Sequence, residues 1–193
     1  MWKKADADEK EFARQDLAGL SRKASSGLID LVYGDQAGFN LTAKVVYAWQ
    51  KRGMRIEIPV TRGKAQTVLG FLWHHARRFE SFVFEQSVDS HVMIGCLDLL
   101  AQDLTRETWL VLDNAPIHRS EEFEEKIEEW AAKGLKIYFL PTYCPCLNKI
   151  EMLWQKIKYD WLSWEAYGSY KNLCQELDKV LAQIGSLYYI SFA

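Results

Sequence analysis

Three acidic residues, far apart in the chain, each stand beside an apolar run that predicts a strand or a helix. Asp35 follows the β-rich run 28–33, Asp113 ends the run 108–112, and Glu151 opens an amphipathic helix. Functional groups gather at strand ends in open α/β sheets. If these carboxylates converge they would repel one another unless cations were present, and their hard oxygens favour Mg²⁺ or Mn²⁺. Convergence would therefore create a metal site, which spacing alone does not establish.

Each acidic segment also has a plainer interpretation. The pattern Asn148-x-x-Glu151 is typical of a capping box, in which the glutamate reaches back to the backbone of the residue that begins the helix. Taken alone, that motif favours the cap. Asp113 and Asn114, which precede a proline, also suit a turn, and the segment that begins at Asp35 suits an ordinary loop.

The elements that must position these residues can be read from apolar periodicity and from turn residues. A lead-in helix is predicted over 8–24 and a last helix around 173–184. The first half otherwise reads as strands, at 28–33, 45–49, 55–60, 68–73 and 81–86. The second half alternates, with helices at 89–104, 121–133 and 150–161 and strands at 108–112 and 136–140. This order predicts an α/β fold whose mixed sheet is an antiparallel meander followed by alternating helices and strands.

Composition indicates one ordinary globular domain. Apolar residues make up 49% of the 193 residues, and 24 basic residues nearly offset 26 acidic ones, for a net charge of −2. DNA contact would therefore need a local basic patch. The four cysteines match no zinc or disulfide spacing, and no stretch is apolar enough for a signal peptide or a membrane span. We expect a soluble, cytoplasmic protein without membrane contact.

Three blocks of sequence surround the acidic residues. They read Tyr33-Gly-Asp35-Gln-Ala-Gly-Phe39, Leu112-Asp-Asn-Ala-Pro-Ile-His-Arg-Ser120 and Leu147-Asn-Lys-Ile-Glu-Met-Leu-Trp154. In order and surroundings they resemble the catalytic blocks of the mariner-related bacterial insertion-sequence transposases of the DDE endonuclease superfamily. The resemblance covers roughly residues 10–165, and the block around Asp113 is the most specific. Together the blocks favour a transposase-type site over separate caps and turns.

The resemblance implies a ribonuclease-H-like fold with Asp35, Asp113 and Glu151 as the catalytic, metal-binding residues. Asn114 and His118 fall on the loop beside the second aspartate, where they could support the metal ligands; for His118 an ordinary loop role is equally open. Two Mg²⁺ or Mn²⁺ ions about 4 Å apart would stabilise the attacking and leaving oxygens of an in-line displacement. At one such site, water could attack a phosphodiester and cut the DNA. The freed 3′-hydroxyl could then attack target DNA and join the cut end to it.

Relatives of this kind recognise terminal inverted repeats with an N-terminal helix-turn-helix part, which the resemblance places outside these residues or in a separate reading frame. It also implies target DNA as a partner, a homodimer that brings two ends together, and association with the nucleoid when DNA is bound. The predicted organisation is a lead-in helix and linker over 1–27, the catalytic domain over 28–165, and a C-terminal helix over 166–193 packed on it.

Four residues depart from the family pattern. Gln36 stands where the family usually has a glutamate, and Lys149 stands where it usually has a proline. Cys144 and Cys146 occupy the places of a serine and an acidic residue. A lysine at the start of a helix opposes the helix dipole by about 0.3–1 kcal/mol. The alternative function is therefore an inactive or domesticated remnant that only binds DNA or a partner. A nuclease that acts on RNA–DNA hybrids is a third hypothesis.

Other polar clusters have a functional and a structural interpretation. The basic residues of the meander could follow a DNA backbone or form a solvated sheet face, and Arg119 beside the second block is a further DNA-contact candidate. The meander candidates are Lys44, Lys51, Arg52, Arg55, Arg62 and Lys64. Structural roles are favoured for His74, His75 and His91, for the glutamate-rich helix face, and for the tryptophan-rich helix as core packing. A soft-metal site at Cys144 and Cys146 is disfavoured.

Overall fold

Five strands and five longer helices are present among the residues that the structure, a computed structural model, describes: 7–41, 52–53, 64–74, 78–188 and 190, with the backbone alone of Arg119. The strands are β1 (Asp30–Asn40), β2 (Ala65–Trp73), β3 (Phe79–Phe84), β4 (Thr108–Leu112) and β5 (Leu135–Phe139). The helices are α1 (Ala7–Ser25), α2 (Ser90–Gln102), α3 (Glu121–Ala132), α4 (Ile150–Lys156) and α5 (Tyr170–Ala182). The strands predicted at 45–49 and 55–60 lie outside the described residues.

The described strands form one sheet in the order β3-β2-β1-β4-β5. The pairs β1–β2 and β2–β3 are antiparallel, whereas β1–β4 and β4–β5 are parallel. The α/β fold with a mixed sheet, predicted as a meander followed by alternating helices and strands, is thereby confirmed.

Helices cover both faces of this sheet. Side chains alternate between the faces of a strand, so Val32 and Tyr33 join different apolar cores. On the face of Tyr33 the core includes Leu17 of α1, Leu153 of α4 and Leu177 of α5. On the opposite face, α2 and α3 contribute Met93, Leu97, Phe123 and Trp130. α5 therefore contributes side chains to the core on the face of Tyr33, and the predicted division of the chain at 27 and 165 stays a prediction.

Local signals place the ends of the helices on the second face. The Ser120 hydroxyl accepts a hydrogen bond from the Phe123 amide (3.2 Å) at the start of α3, and Asp89 caps α2 by accepting from Val92 (2.9 Å). After α3 the chain turns at Gly134 with φ of 94°, a conformation that glycine adopts without steric penalty. The predicted cap and stop of α3 are confirmed.

Two predicted element boundaries were wrong. β1 does not stop at Tyr33 but continues through Gly34 to Asn40, because the residues after Gly34 go on pairing with β2. Asp35 therefore lies within a strand and not in a loop after it. The helix predicted over 150–161 is α-helical only to Lys156, and a π-helical segment, Ile157–Trp161, follows it.

In the part of the chain that is described, no helix has the length and apolar content needed to cross a membrane.

Candidate active site

The first two acidic residues lie at the same level, Asp35 within β1 and Asp113 just after β4, its parallel neighbour. The β1–β4 pairing ends with Tyr33 opposite Val111, and both of these side chains belong to the same core. Asp35 lies two residues further along β1, and Asp113 stands two residues after Val111, directly after the end of β4, so continued alternation places both side chains on that same face. Paired strands are about 4.8 Å apart. Sheet register thus brings together two carboxylates that are far apart in sequence.

Glu151 is carried to this edge by α4, whose start is attached to β1. The side chain of Asn148, only 3% exposed, donates from Nδ2 to the backbone carbonyl of Gly34 at 3.0 Å. The Asn148 backbone amide donates to Pro145 at 2.9 Å. The capping-box interpretation was wrong, because α4 begins without a side-chain cap and Asn148 bonds to the strand instead. Gly34 immediately precedes Asp35, so this bond joins the two acidic segments.

A cavity of about 270 Å³ contains all three predicted metal ligands, Asp35, Asp113 and Glu151, in its wall. Asn114, Ala115 and Asn148 also line it, and the rest of the wall is the loop after β5. That loop includes Cys144 and the exposed Tyr143, whose φ of 63° is left-handed. Among the described residues, no three His, Cys, Asp or Glu side chains lie close enough together to form a ready-made metal-ligand group. The three carboxylates therefore line one cavity but are not clustered tightly around a single point in it.

The electrostatics of Asp35 reflect this crowding. Burial, followed by the negative charge of Glu151, raises the pKa of Asp35 to about 7, and Asp113 adds to the increase. Hydrogen bonds from the Gln36 backbone and the Trp154 side chain act in the opposite direction. The ionised Asp35 is thus held in an environment short of positive charge.

Asp113 is held differently. His118, 4% exposed, contacts the Asp113 backbone carbonyl (2.9 Å) and Oδ1 (3.2 Å) through Nδ1, and the Ala115 amide donates to Oδ1 at 3.3 Å. Both neighbours of Nδ1 are oxygen acceptors, so Nδ1 carries the hydrogen. These contacts, chiefly the bond from His118, lower the pKa of Asp113. Phe123 and Phe139 pack beside the imidazole, with ring centroids 5.6 and 6.3 Å away.

The donor set of the cavity fits a hard divalent cation. Three carboxylates line one cavity, and the negative charges of Glu151 and Asp113 add to the effect of burial in raising the pKa of Asp35. Asn148 Oδ1 is a further oxygen donor, buried and without a hydrogen-bond partner among the described residues. Oxygen ligands of this kind suit Mg²⁺ or Mn²⁺.

Sequence reasoning missed three contributors to this site. Trp154, assigned to core packing, also donates from Nε1 to Asp35 Oδ2 at 3.0 Å. Asn148 was considered only as the residue that begins a possible capping box. Gly70, opposite Asp35 on β2, was given no role, although an added Cβ there would lie 2.6 Å from the Trp154 ring. The only sequence signal was Trp154 lying three residues after Glu151, on the same side of a helix.

The remaining predicted residues lie elsewhere in the fold or outside its described part. Lys44, Lys51, Arg55, Arg62 and His75 fall outside the described residues, as does the side chain of Arg119. Arg52 is exposed in a described turn, and Lys64 lies over the Tyr170 ring at 5.4 Å.

The other histidines and the cysteines have structural surroundings. His74 is buried and shares a 2.7 Å hydrogen bond with Ser21, and His91 is exposed beside Glu122. Cys144 and Cys146, like the other two cysteines, are free thiols.

Comparison with known proteins shows where this arrangement belongs. Residues 30–174 match the family described as DDE superfamily endonuclease. The chain belongs to that family. The match runs from the first residue of β1 into α5, so it contains all three acidic residues and the loops that carry them.

This DDE endonuclease chain is similar to an insertion element IS630 uncharacterized 39 kDa protein of Shigella sonnei, with 27% identity over 127 residues. The match covers 65% of this chain and 36% of that protein, so the chain spans little more than a third of its relative.

Two solved structures share the fold of the DDE endonuclease chain. One is the Mos1 transposase paired-end complex with left transposon end, with a TM-score of 0.62 and 18% identity. The match covers 94% of this chain and 57% of that one. The other is the catalytic domain of Mos1 mariner transposase, with a TM-score of 0.56 and 15% identity. The match covers 94% of this chain and 85% of that one. The ribonuclease-H-like architecture expected from the three blocks is thus confirmed.

Proposed function

We propose that the chain is the catalytic domain of an insertion-sequence transposase, which cuts DNA at the ends of its element and joins those ends to target DNA. One observation carries the proposal: Asp35, Asp113 and Glu151, from three separate elements, line one cavity of about 270 Å³. The family match and the similarity to the IS630 protein support the transposition context.

The proposed metal ligands are those three carboxylates, with Mg²⁺ or Mn²⁺ as the ion and two ions as the number. When bound, such ions would stabilise negative charge on the attacking and leaving oxygens of a phosphodiester displacement. His118 holds the Asp113 carboxylate through Nδ1, and Asn114 lines the cavity beside it. Asn148 holds the start of α4 against β1, which keeps Glu151 level with Asp35.

Cleavage and joining are the same displacement with different nucleophiles. In cleavage, a water oxygen bonds to phosphorus and the P–O3′ bond breaks. The water loses a proton to solvent and the leaving 3′-oxygen takes one up, so a 5′-phosphate and a 3′-hydroxyl result. In joining, that 3′-hydroxyl attacks a target phosphodiester and displaces another 3′-oxygen. Cations bound by the three carboxylates would supply the charge stabilisation that both displacements need, so no covalent link to the protein is required.

The partners proposed are terminal inverted repeats, target DNA and a second copy of the chain. Mos1, whose solved complexes include a paired-end complex and a strand transfer complex, is the model for this assembly. Recognition of the repeats is assigned to a helix-turn-helix part outside these residues, and DNA binding would place the protein at the bacterial nucleoid. The basic meander residues and Arg119 are the proposed contacts to the DNA backbone.

The direct experiment measures cutting and joining in parallel. Purified protein, supplied with the proposed helix-turn-helix part, is incubated in Mn²⁺ or Mg²⁺ with supercoiled DNA, and separately with oligonucleotides that end in the inverted repeats from the flanks of the gene. We expect nicks with 3′-hydroxyl ends and joined products, both abolished by Asp113→Asn and by EDTA. Asp98→Asn, on the other face of the sheet, is the matched control.

Two outcomes would overturn the proposal. Asp113→Asn protein with wild-type cutting would place the reaction elsewhere or in a contaminant. Cleavage of RNA–DNA hybrids in preference to duplex DNA would assign the same carboxylates to a different nuclease activity.

A further inference from the structure

A single side chain joins the helix that carries Glu151 to the carboxylate of Asp35. Trp154 lies on α4, three residues after Glu151, and is only 2% exposed. Its Nε1–H donates to Asp35 Oδ2 at 3.0 Å, across 119 residues of sequence. The two acidic segments are therefore connected twice, by Trp154 and by the Asn148–Gly34 bond.

The sheet has no side chain at the position where the Trp154 indole packs on it. Gly70 pairs with Asp35 in the β1–β2 register and lies on the same face. A Cβ at Gly70 would lie 2.6 Å from Trp154 Cη2, 2.8 Å from Trp154 Cζ2 and 2.8 Å from Phe79 Cε2. Such contacts are far closer than van der Waals packing permits, so any larger residue at position 70 would displace the ring. A glycine in the middle of a strand marks a close approach of this kind.

Two aromatic rings hold the indole in its orientation. Phe39 of β1 and Phe79 of β3 meet it edge-to-face, with centroids 6.2 and 6.0 Å away. Both arrangements are favourable geometries for aromatic pairs. Because the ring is held by packing on β1 and β3, the direction of its N–H is determined before any ligand binds.

The chemistry of the donor matters as much as its position. An indole N–H can only donate, so it stabilises the ionised carboxylate and cannot compete as a ligand. It is also uncharged, whereas a lysine or arginine in its place would repel a bound cation. Groups that hold metal ligands in this way typically change metal affinity by about 10- to 100-fold.

We propose that Trp154 is a positioning residue for the divalent-metal site: its indole N–H holds one oxygen of Asp35, and the missing side chain of Gly70 makes room for it. The inference rests on the proposed function, since it requires that Asp35 binds the cation. Trp154 acts through Asp35 and has no direct part in the displacement.

The test compares two tryptophans that make the same type of bond. Trp154→Phe removes the N–H but keeps an aromatic ring. Trp130→Phe removes a buried indole N–H that donates to Asp98 (2.8 Å) on the other face of the sheet. Mn²⁺ affinity is measured by electron paramagnetic resonance at one pH, together with the melting temperature of each variant. We expect Trp154→Phe to weaken Mn²⁺ binding by about 10-fold or more, and Trp130→Phe to leave it unchanged while lowering the melting temperature.

The glycine gives an independent test. Gly70→Ala should weaken Mn²⁺ binding as Trp154→Phe does, whereas Gly38→Ala on β1, where an added Cβ meets nothing within 4 Å, should not. In a Trp154→Phe background, Gly70→Ala should have a smaller effect, because two of the three ring atoms that its Cβ would strike, Trp154 Cη2 and Cζ2, are absent and only the contact with Phe79 Cε2 remains. This non-additivity would not arise if both substitutions merely destabilised the fold.

The outcomes separate this inference from the proposed function. If wild type and Asp113→Asn bind Mn²⁺ equally, the metal site itself is wrong. If Asp113→Asn abolishes binding but Trp154→Phe and Trp130→Phe bind like wild type, only the role of Trp154 is overturned. Equal losses in the two tryptophan variants would likewise reduce Trp154 to a packing residue.

Discussion

Asn148 donates its side-chain amide to the backbone carbonyl of Gly34, 114 residues earlier in the chain, at 3.0 Å. The bond is buried, and it joins the residue before Asp35 to the loop just before the helix of Glu151. Two segments that carry acidic side chains are therefore held together by a neutral hydrogen bond, which adds no charge to a crowded site.

Removing that bond should affect both stability and metal binding. Asn148→Ala leaves the buried Gly34 carbonyl without its partner, so we expect a loss of about 1–3 kcal/mol in the free energy of unfolding. Mn²⁺ affinity should fall as well, because α4 is no longer attached beside Asp35. Urea unfolding and Mn²⁺ titration measure the two effects. Asn172→Ala is the control, since Asn172 makes the same type of bond to the Glu165 carbonyl (3.3 Å) at an exposed position.

Asp35 should destabilise the metal-free protein at neutral and alkaline pH. Its pKa is raised to about 7 in the folded state from 3.8, chiefly by burial and by Glu151. The folded state then binds the Asp35 proton more tightly than the unfolded state does. Below about pH 4 the carboxyl is protonated in both states, so it does not lower the free energy of unfolding. As pH rises to about 7, the free energy of unfolding falls progressively.

Asp35→Asn should therefore stabilise the metal-free protein at pH 8, by up to about 4 kcal/mol, and have little effect at pH 4. Urea unfolding in EDTA at both values checks this. Added Mn²⁺ should reverse the order, because wild type gains a ligand-bound state that Asp35→Asn lacks. An equal effect of the substitution at both pH values would contradict the assigned cause.

His118 should matter through Asp113. The pKa of Asp113 is lowered chiefly by its bond from His118, so this group stabilises the fold above its unfolded pKa and loses that contribution as pH falls through the folded value. His118→Asn should reduce this acid-sensitive contribution and weaken Mn²⁺ binding by about 10-fold or more. His91→Asn is the matched control, because His91 is exposed and its closest acidic partner, Glu122, is 4.0 Å away. Similar behaviour of the two variants would remove His118 from the site.

Two basic residues that precede β2 in the chain, Arg52 and Lys64, should set the salt dependence of DNA binding. We expect Arg52→Glu and Lys64→Glu each to weaken binding to any duplex sequence, and to lower the slope of log affinity against log salt by about one for each phosphate that the protein no longer neutralises. Fluorescence anisotropy over a range of salt concentrations measures this slope. Lys133→Glu, just after α3 on the other sheet face, is the control. An unchanged slope would identify the patch as an ordinary solvated surface.

Much of the fold follows from local sequence because its signals act over a few residues. The apolar run 108–112 predicts β4, and Ser120 and Gly134 mark the cap and stop of α3. The extent of β1 could not be read in this way, since Gly34 and Gln36 resemble a turn until β2 pairs with them. Likewise, the change from α- to π-helical turns after Lys156 has no local signal that distinguishes it from a continuous helix.

The sequence by itself determined which carboxylates were candidates, because Asp35, Asp113 and Glu151 stand in three recognisable blocks beside predictable elements. Only the tertiary structure decided that they share a cavity, that Asn148 bonds to a strand and not to its own helix, and that Trp154 reaches Asp35 across Gly70. The physical reason is range. Caps and periodicity arise between residues a few positions apart, whereas these contacts depend on sheet register and on where a helix docks, which are properties of the assembled core.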